Sequence, residues 1–337
     1  MYDLVVSGAG PIGSFLAWKF SERGYKVLVL EEHKEIGKPL ACSGLISKKI
    51  WDFVPYNKKI IEHKINGARI HVGEKVHVFN SNQAQVINRP ALDKHIFDLA
   101  KKSGVKCLLG SRLINFFEGE TVSVYVKRNE KIKNIKTKVL AGCDGPLSTV
   151  RRNLGLRDPK YLHGVFMYVA GNQDSFVDLY FKEFPGFFAW RIPRGAYTEY
   201  GLASSTKAKF HFTNFLKKHG IKPAKIFSGL IPYGLLPKIS SKRVFLCGDA
   251  AAQVKPYSGG GVVYGLTAAE IASQTIDLNN PDMRLYEKEW RKKIGREIKT
   301  GLWIKRFYSL PKSVLNIALN KISKRKNLNM DKPSSIF

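Results

Sequence analysis

The 337-residue sequence has only four cysteines, Cys42, Cys107, Cys143 and Cys247, with no CxxC pair and no histidine at ligand spacing. That scatter argues against a zinc site, an iron–sulfur centre and a secreted disulfide framework, and no metal is expected. No apolar run reaches 18 residues, so no helix is expected to span a bilayer. A glycine-rich stretch begins at residue 8 and leaves no room for the apolar core of a signal peptide. A cytoplasmic place is therefore expected. Acids are scarce, with 27 Asp and Glu against 56 Lys and Arg, a formal +29. Such a chain calls for an anionic partner. No RRM, helix-turn-helix, zinc-finger or OB signature is present, and the basic residues interleave with acids and aromatics, so nucleic acid is not the expected one.

Hydrophobic residues make up 44% and aromatics 12%, enough to bury a sizeable core in about two domains. The first thirty residues are the most informative. Asp3–Ser7 reads as a buried strand, Gly8-Ala-Gly10-Pro-Ile-Gly13 as a turn, Ser14–Arg23 as a helix and Lys26–Leu30 as a second strand. In this βαβ setting Gly8 permits the bend, Gly10 lets backbone approach a pyrophosphate, and Gly13 lets helix and strand pack closely. Glu31, at the end of the second strand, can accept hydrogen bonds from ribose hydroxyls and disfavours a 2′-phosphate.

Residues 34–47 read as a loop, 65–87 contains short alternating strands, and Arg89-Pro90 opens a helix through Lys102. A hairpin turns near Arg128-Asn129, and a strand ends at Asp144-Gly145. From 160 to 236 aromatics and prolines crowd into alternating stretches, which predicts a mostly antiparallel layer. Val244–Cys247 returns to a buried strand, followed by Gly248-Asp249, the cluster Ser258-Gly-Gly-Gly261, and a helix over 262–276. Residues 283–327 read as helical and basic, broken at Pro311.

Two distant segments extend the pattern. Asp144-Gly145-Pro-Leu-Ser148-Thr-Val-Arg151 and Gly248-Asp249 through Pro256-Tyr-Ser-Gly-Gly260-Gly261-Val262 resemble the Asp-Gly and Gly-Asp segments of the para-hydroxybenzoate hydroxylase flavoprotein superfamily. Glu35 to Ser47, with Cys42-Ser43-Gly44-Leu45, resembles the Cys-x-Gly loop of geranylgeranyl reductases, the archaeal enzymes that saturate isoprenoid chains of membrane lipids. Arg89 resembles that family's FAD-contacting arginine, and Phe187-Phe188-Ala-Trp190-Arg-Ile-Pro193 its aromatic segment. The similarity covers about residues 1–275. It implies an α/β (α+β) fold: a GR2-type Rossmann-like FAD domain with a parallel central sheet (1–64, 88–158 and 240–280), an antiparallel-sheet substrate domain (65–87 and 159–239), and a basic C-terminal helical segment (281–337).

Carried over position by position, the resemblance implies FAD contacts at Ile12, Glu31, Cys42, Ser43, Leu45, Arg89, Leu113, Asp249, Gly261 and Val262. Gly8, Gly10, Gly13, Gly44, Asp144, Gly145, Pro256 and Gly260 complete the expected cofactor set, and Phe188, Trp190 and Pro193 the substrate set. Two departures stand out: Ile192 replaces the family's usual aromatic, and the sequence is shorter than most members toward its C-terminus.

The implied activity is saturation of geranylgeranyl C=C bonds by hydride from reduced flavin plus a proton. The alternative is an aromatic hydroxylase or monooxygenase on the same fold. Cys42 is the candidate catalytic side chain, against a plain packing role for a small thiol. Electrons are expected from ferredoxin or NAD(P)H, because no second GxGxxG exists, and the chain is expected to be a monomer. Residues 282–337 hold 15 Lys and Arg against 5 Asp and Glu, with Trp303, Ile304, Phe307 and Ile317 among them. That composition suits a helix on an anionic membrane surface at the inner face of the cell membrane, or a helix pair packed on the FAD domain.

Overall fold

Leu4–Val6 and Val27–Leu30 show no polar alternation, the pattern of strands covered on both faces, and both are buried. The computed structural model, which describes residues 1–171, 174–325 and 327–336, makes them β1 (Tyr2–Ser7) and β2 (Val27–Leu30), joined by α1 (Pro11–Glu22). Positions 172, 173, 326 and 337 of the expected substrate and C-terminal units lie outside the described residues. Next come β3 (Leu45–Ser47), β4 (Ile61–Lys64), β5 (Gly67–Val72), β6 (Lys75–Asn80), β7 (Ala84–Ile87) and α2 (Arg89–Lys102). Strands β8 (Lys106–Leu108), β9 (Arg112–Glu118), β10 (Val122–Arg128) and β11 (Lys131–Gly142) lead to α3 (Thr149–Asn153). Then follow β12 (Lys160–Ala170), β13 (Phe176–Phe181), β14 (Phe188–Arg194), β15 (Tyr197–Ser204), α4 (Ala208–Lys218), β16 (Ile226–Tyr233) and β17 (Val244–Leu246). Helices α5 (Val262–Thr275), α6 (Met283–Trp290), α7 (Arg296–Phe307) and α8 (Lys312–Ser323) complete the order.

Three sheets form. In the first, β8, β2, β1, β11 and β17 are parallel, while the early half of β11 pairs antiparallel with β10, and β10 in turn with β9. The second runs β16-β12-β15-β14-β13-β5-β6 and is antiparallel except where β13 meets β5. The third is small, β3-β7-β4. This is the expected α/β (α+β) architecture, with a parallel central sheet, an antiparallel layer and C-terminal helices. Helices α2 and α5 flank α1, and the ends of β1, β11 and β17 open toward the second sheet.

Two assignments need correction. Residues 84–87 do not join the seven-stranded antiparallel layer, because β7 pairs with β3 and β4 in the small third sheet. The C-terminal segment is not helical throughout: helix ends at Ser323, and 328–336 returns as a tight turn bridged from Asn329 to Lys332 followed by a short 3-10 turn, Pro333–Ile336. Its helices also divide between the two cores. Tyr286 and Trp290 of α6 are buried beside the first sheet, whereas α8 lays Leu315 on the second, against β5 and β6.

Tyr286 shows how the C-terminal helices brace the first sheet. Its buried hydroxyl donates to the Leu246 carbonyl (2.9 Å) and accepts from Gln253 Nε2 (3.1 Å), and Gln253 Oε1 accepts from the Gly248 N–H (2.7 Å). A Tyr286→Phe variant strands a buried amide and a buried carbonyl lone pair, so urea unfolding should show a loss of about 1–3 kcal/mol. An unchanged midpoint would contradict this bracing role.

Candidate functional site

One cavity of about 520 Å³ lies where the three sheets approach one another. Its first wall is built by the glycine turn. A Cβ at Gly13 would sit 2.0 Å from the Gly8 carbonyl oxygen, so only glycine lets α1 pack this close to β1. Gly8 and Gly13 are therefore packing residues behind the wall, while Gly10 and Ile12 face the cavity. Helix α1 starts at Gly10 and α5 at Gly261, neither with a side-chain cap. The free N–H groups of both first turns are thus left for an anionic group. Gly260, Gly261 and Val262 line the cavity with them.

The loop Cys42-Ser43-Gly44-Leu45 forms the second wall. At Gly44 (φ +73°) a Cβ would meet the Ile87 carbonyl oxygen at 2.3 Å, so the loop lies directly against β7. Arg194 of β14 holds it there, donating from Nη1 to the Ser43 carbonyl (2.6 Å) and from Nη2 to the Ile87 carbonyl (3.1 Å). The same guanidinium pairs with Glu199 (2.9 Å) and Glu62 (2.6 Å). Glu199 is wholly buried; burial pushes its carboxyl up to about 7, with Arg194 opposing.

The far wall is apolar. Side chains of a strand alternate in direction, and Phe188, Trp190 and Ile192 of β14 all reach the cavity, beside Phe166, Val177 and Leu179. Pro193, one residue out of phase, is not among the residues that line it. Trp190 Nε1 donates to Glu199 Oε1 (2.8 Å) and so fixes the indole.

Arg89 and Asp249 supply charge inside. Burial opposes the Arg89 charge, but Asp93 (3.0 Å) and the neighbouring Cys42 thiol outweigh it and hold its pKa above the ordinary value. Arg89 Nε is buried with no partner among the described residues, an orphan donor in the cavity wall that fits an incoming acceptor such as FAD. Asp249 and Gly145 line the same space.

Besides Gly8 and Gly13, four expected cofactor residues do not line the cavity. Asp144 spends its carboxylate on the Ser148 hydroxyl (2.6 Å) and the Val150 N–H (3.0 Å), ordering the start of α3 rather than facing the cavity. Leu113 is buried in β9, paired with Val126. Pro256 packs against Gly301 of α7 and anchors the glycine loop from behind. Glu31 stands at the end of β2, accepting from the Ala9 N–H (2.8 Å) and the His33 N–H (2.9 Å), beyond the cavity proper. Lys255, Ile65, Phe79 and Met330 line the cavity and were not anticipated. The strand pattern of 65–87 carried a signal for Phe79; nothing local marked Met330.

Comparison with known proteins agrees with this geometry. The family described as FAD binding domain matches residues 52–175. The chain is 32% identical to an uncharacterized protein of Methanocaldococcus jannaschii, over 99% of this chain and 93% of that one. It is 30% identical to the digeranylgeranylglycerophospholipid reductase of the same organism, over 87% of this chain and 83% of the relative. Among solved structures, a geranylgeranyl bacteriochlorophyll reductase-like protein from Thermoplasma acidophilum superposes with a TM-score of 0.89 at 22% identity, covering 99% and 94% of the two chains. The cofactor is FAD.

Asp249 offers a test that needs no substrate. Burial pushes its carboxyl from 3.8 up to about 6, with Arg89 working the other way. A pKa raised by folding means stability that is full below the unfolded value and lost as pH climbs through the folded one. Between pH 4 and pH 8 the wild-type apoprotein should therefore lose on the order of 2–3 kcal/mol relative to Asp249→Asn. A stability gap that stays constant over this range in apoprotein melts would contradict the burial argument.

Proposed function

We propose that this chain, which belongs to the digeranylgeranylglycerophospholipid reductase family, is an FAD-dependent oxidoreductase acting on CH–CH groups. Its substrates in this reading are geranylgeranyl chains of isoprenoid membrane lipids or their precursors, whose C=C bonds it saturates. The observation that carries the reading is one continuous cavity, which runs from two uncapped helix ends to a wall of Phe166, Phe188, Trp190 and Ile192. Such a wall suits a prenyl chain better than a phenol, whose hydroxyl would want a fixed polar partner.

Reduced FAD, when bound, supplies hydride to one alkene carbon. An isolated prenyl double bond is electron-rich, so a proton must arrive with the hydride and water must stay out. The apolar wall provides the dry surroundings. The ends of α1 and α5 hold negative charge, and Arg89 Nε offers a donor. Cys42, in the wall beside Arg89, is the thiol we put at the reacting end, where its Sγ would hold a proton.

Partners follow from charge and surface. Electrons come in this reading from ferredoxin or NAD(P)H, and a net charge of +29 suits an acidic carrier. Trp303, Val314 and Ile317 stand exposed on α7 and α8 among basic residues, which supports contact of a monomer with an anionic inner membrane face. No described helix is long and apolar enough to cross a membrane.

FAD-loaded protein reduced with dithionite and given digeranylgeranylglycerophospholipid should yield products heavier by one H2 per saturated bond. No mass gain with any prenyl lipid, despite bound FAD, would overturn the reading. In the same preparation, sedimentation with phosphatidylglycerol vesicles should fall steeply with salt; equal pelleting with neutral vesicles would remove the anionic surface from the account.

A further inference from the structure

Past α8, residues 328–336 run back across the molecule to the cavity. Gln83, between β6 and β7, binds this segment like a strand neighbour: its Nε2 donates to the Leu328 carbonyl (2.6 Å) and its Oε1 accepts from the Met330 N–H (3.0 Å). Farther along, the Ser334 N–H and hydroxyl donate to Glu297 of α7 (3.0 and 2.7 Å). Between these two moorings Met330 enters the cavity wall. The segment is therefore clamped at both ends with its middle at the site.

The middle also carries a buried charge. Asp331, 6% exposed, accepts from Lys255 Nζ (3.0 Å) and from the Ser47 hydroxyl (2.6 Å). Lys255, 5% exposed, also donates to the Met330 carbonyl (3.2 Å). Tyr257 and Tyr264 hydroxyls donate to the Met330 and Asp331 carbonyls (2.6 and 2.9 Å). Every one of these donors belongs either to the glycine loop with the helix that follows it, or, as Ser47, to the end of β3.

Lys255 is the residue around which the glycine loop folds. Its N–H donates to the Gly260 carbonyl (3.1 Å), its carbonyl accepts from the Gly259 N–H (2.8 Å), and its stem lies along Gly260. The loop then delivers Gly261 and the uncapped start of α5 to the cavity. An ammonium this deep needs a fixed counter-charge, and Asp331 is the carboxylate that pairs with it.

We infer that the 328–336 segment is a working part of the site and that Asp331 is a positioning residue: through Lys255 it sets the glycine loop and hence the end of α5 that meets the cofactor. This inference rests on the flavoprotein reading of the cavity but not on the identity of the lipid. Without Asp331 the Lys255 ammonium must leave its buried place, and the loop wound about its stem moves with it.

The test uses full-length apoprotein titrated with FAD, with Asp331→Asn, Lys255→Met and the double variant Lys255→Met/Asp331→Leu. Replacing a buried ion pair by apolar residues commonly restores stability that either single change removes. The expected result is at least a tenfold weaker FAD affinity and an altered visible spectrum of the bound flavin in both single variants. In the double variant, thermal stability should return while the affinity and spectrum do not. Wild-type FAD affinity and spectrum in Asp331→Asn would overturn the inference. So would a double variant that recovers affinity and spectrum along with stability, since the pair would then be structural only. Failure of wild-type protein to reduce any prenyl lipid would count against the substrate assignment alone and leave these titrations intact.

Discussion

One guanidinium joins the second sheet to the third and to the loop before it. Arg194, on β14 of the antiparallel layer, donates to Glu62 of β4, Glu199 of β15, Tyr168 of β12, and the carbonyls of Ser43 and Ile87. A buried pair such as Arg194–Glu199 contributes little net stability, because desolvation consumes most of the attraction, but removing one partner costs about 3–5 kcal/mol. Its value here is geometric. It places the Cys42–Leu45 loop against β7, and through Glu199 it fixes the ring of Trp190. The wall that meets the cofactor and the wall that meets the substrate are thus set by one residue.

That arrangement explains which parts of the site could be read from the chain. The turn Gly8–Gly13 is a local device, since its spacing and its two apolar strands lie within thirty residues. Arg89 likewise follows from a helix start at Asn88, whose side chain caps α2 at the Ala91 N–H (3.0 Å). In β14 the two-residue period separates Phe188 and Trp190, which line the cavity, from Pro193, which does not. Asp144 is expected at the cofactor through the resemblance of its Asp-Gly segment, whereas its bonds to Ser148 and Val150, which order the start of α3, depend on positions that the motif does not show. Arg194, Glu199 and Asp331 could not be found locally. Their partners stand as far as 284 residues away in the case of Ser47 and Asp331, and no motif spans such a distance.

The one-signed charge is also resolved only in part by the fold. Some of it is structural: Lys255 is spent on Asp331, Arg151 is wholly buried between the Pro146 and Ala250 carbonyls, and Arg194 is held at the junction. Most of the rest stays at the surface, including the lysines of α7 and α8 near Trp303 and Ile317. On the proposed reading, in which a separate carrier supplies electrons and the substrate is a lipid, such a field would raise encounter rate and surface attraction.

The central claim is that cofactor and prenyl chain share one dry chamber. Its most direct test is anaerobic stopped-flow mixing of the fully reduced FAD-loaded protein with digeranylgeranylglycerophospholipid, followed by absorbance near the oxidised flavin band. The account predicts flavin reoxidation without oxygen, in proportion to the bonds saturated. A flavin that stays reduced until air is admitted would contradict it.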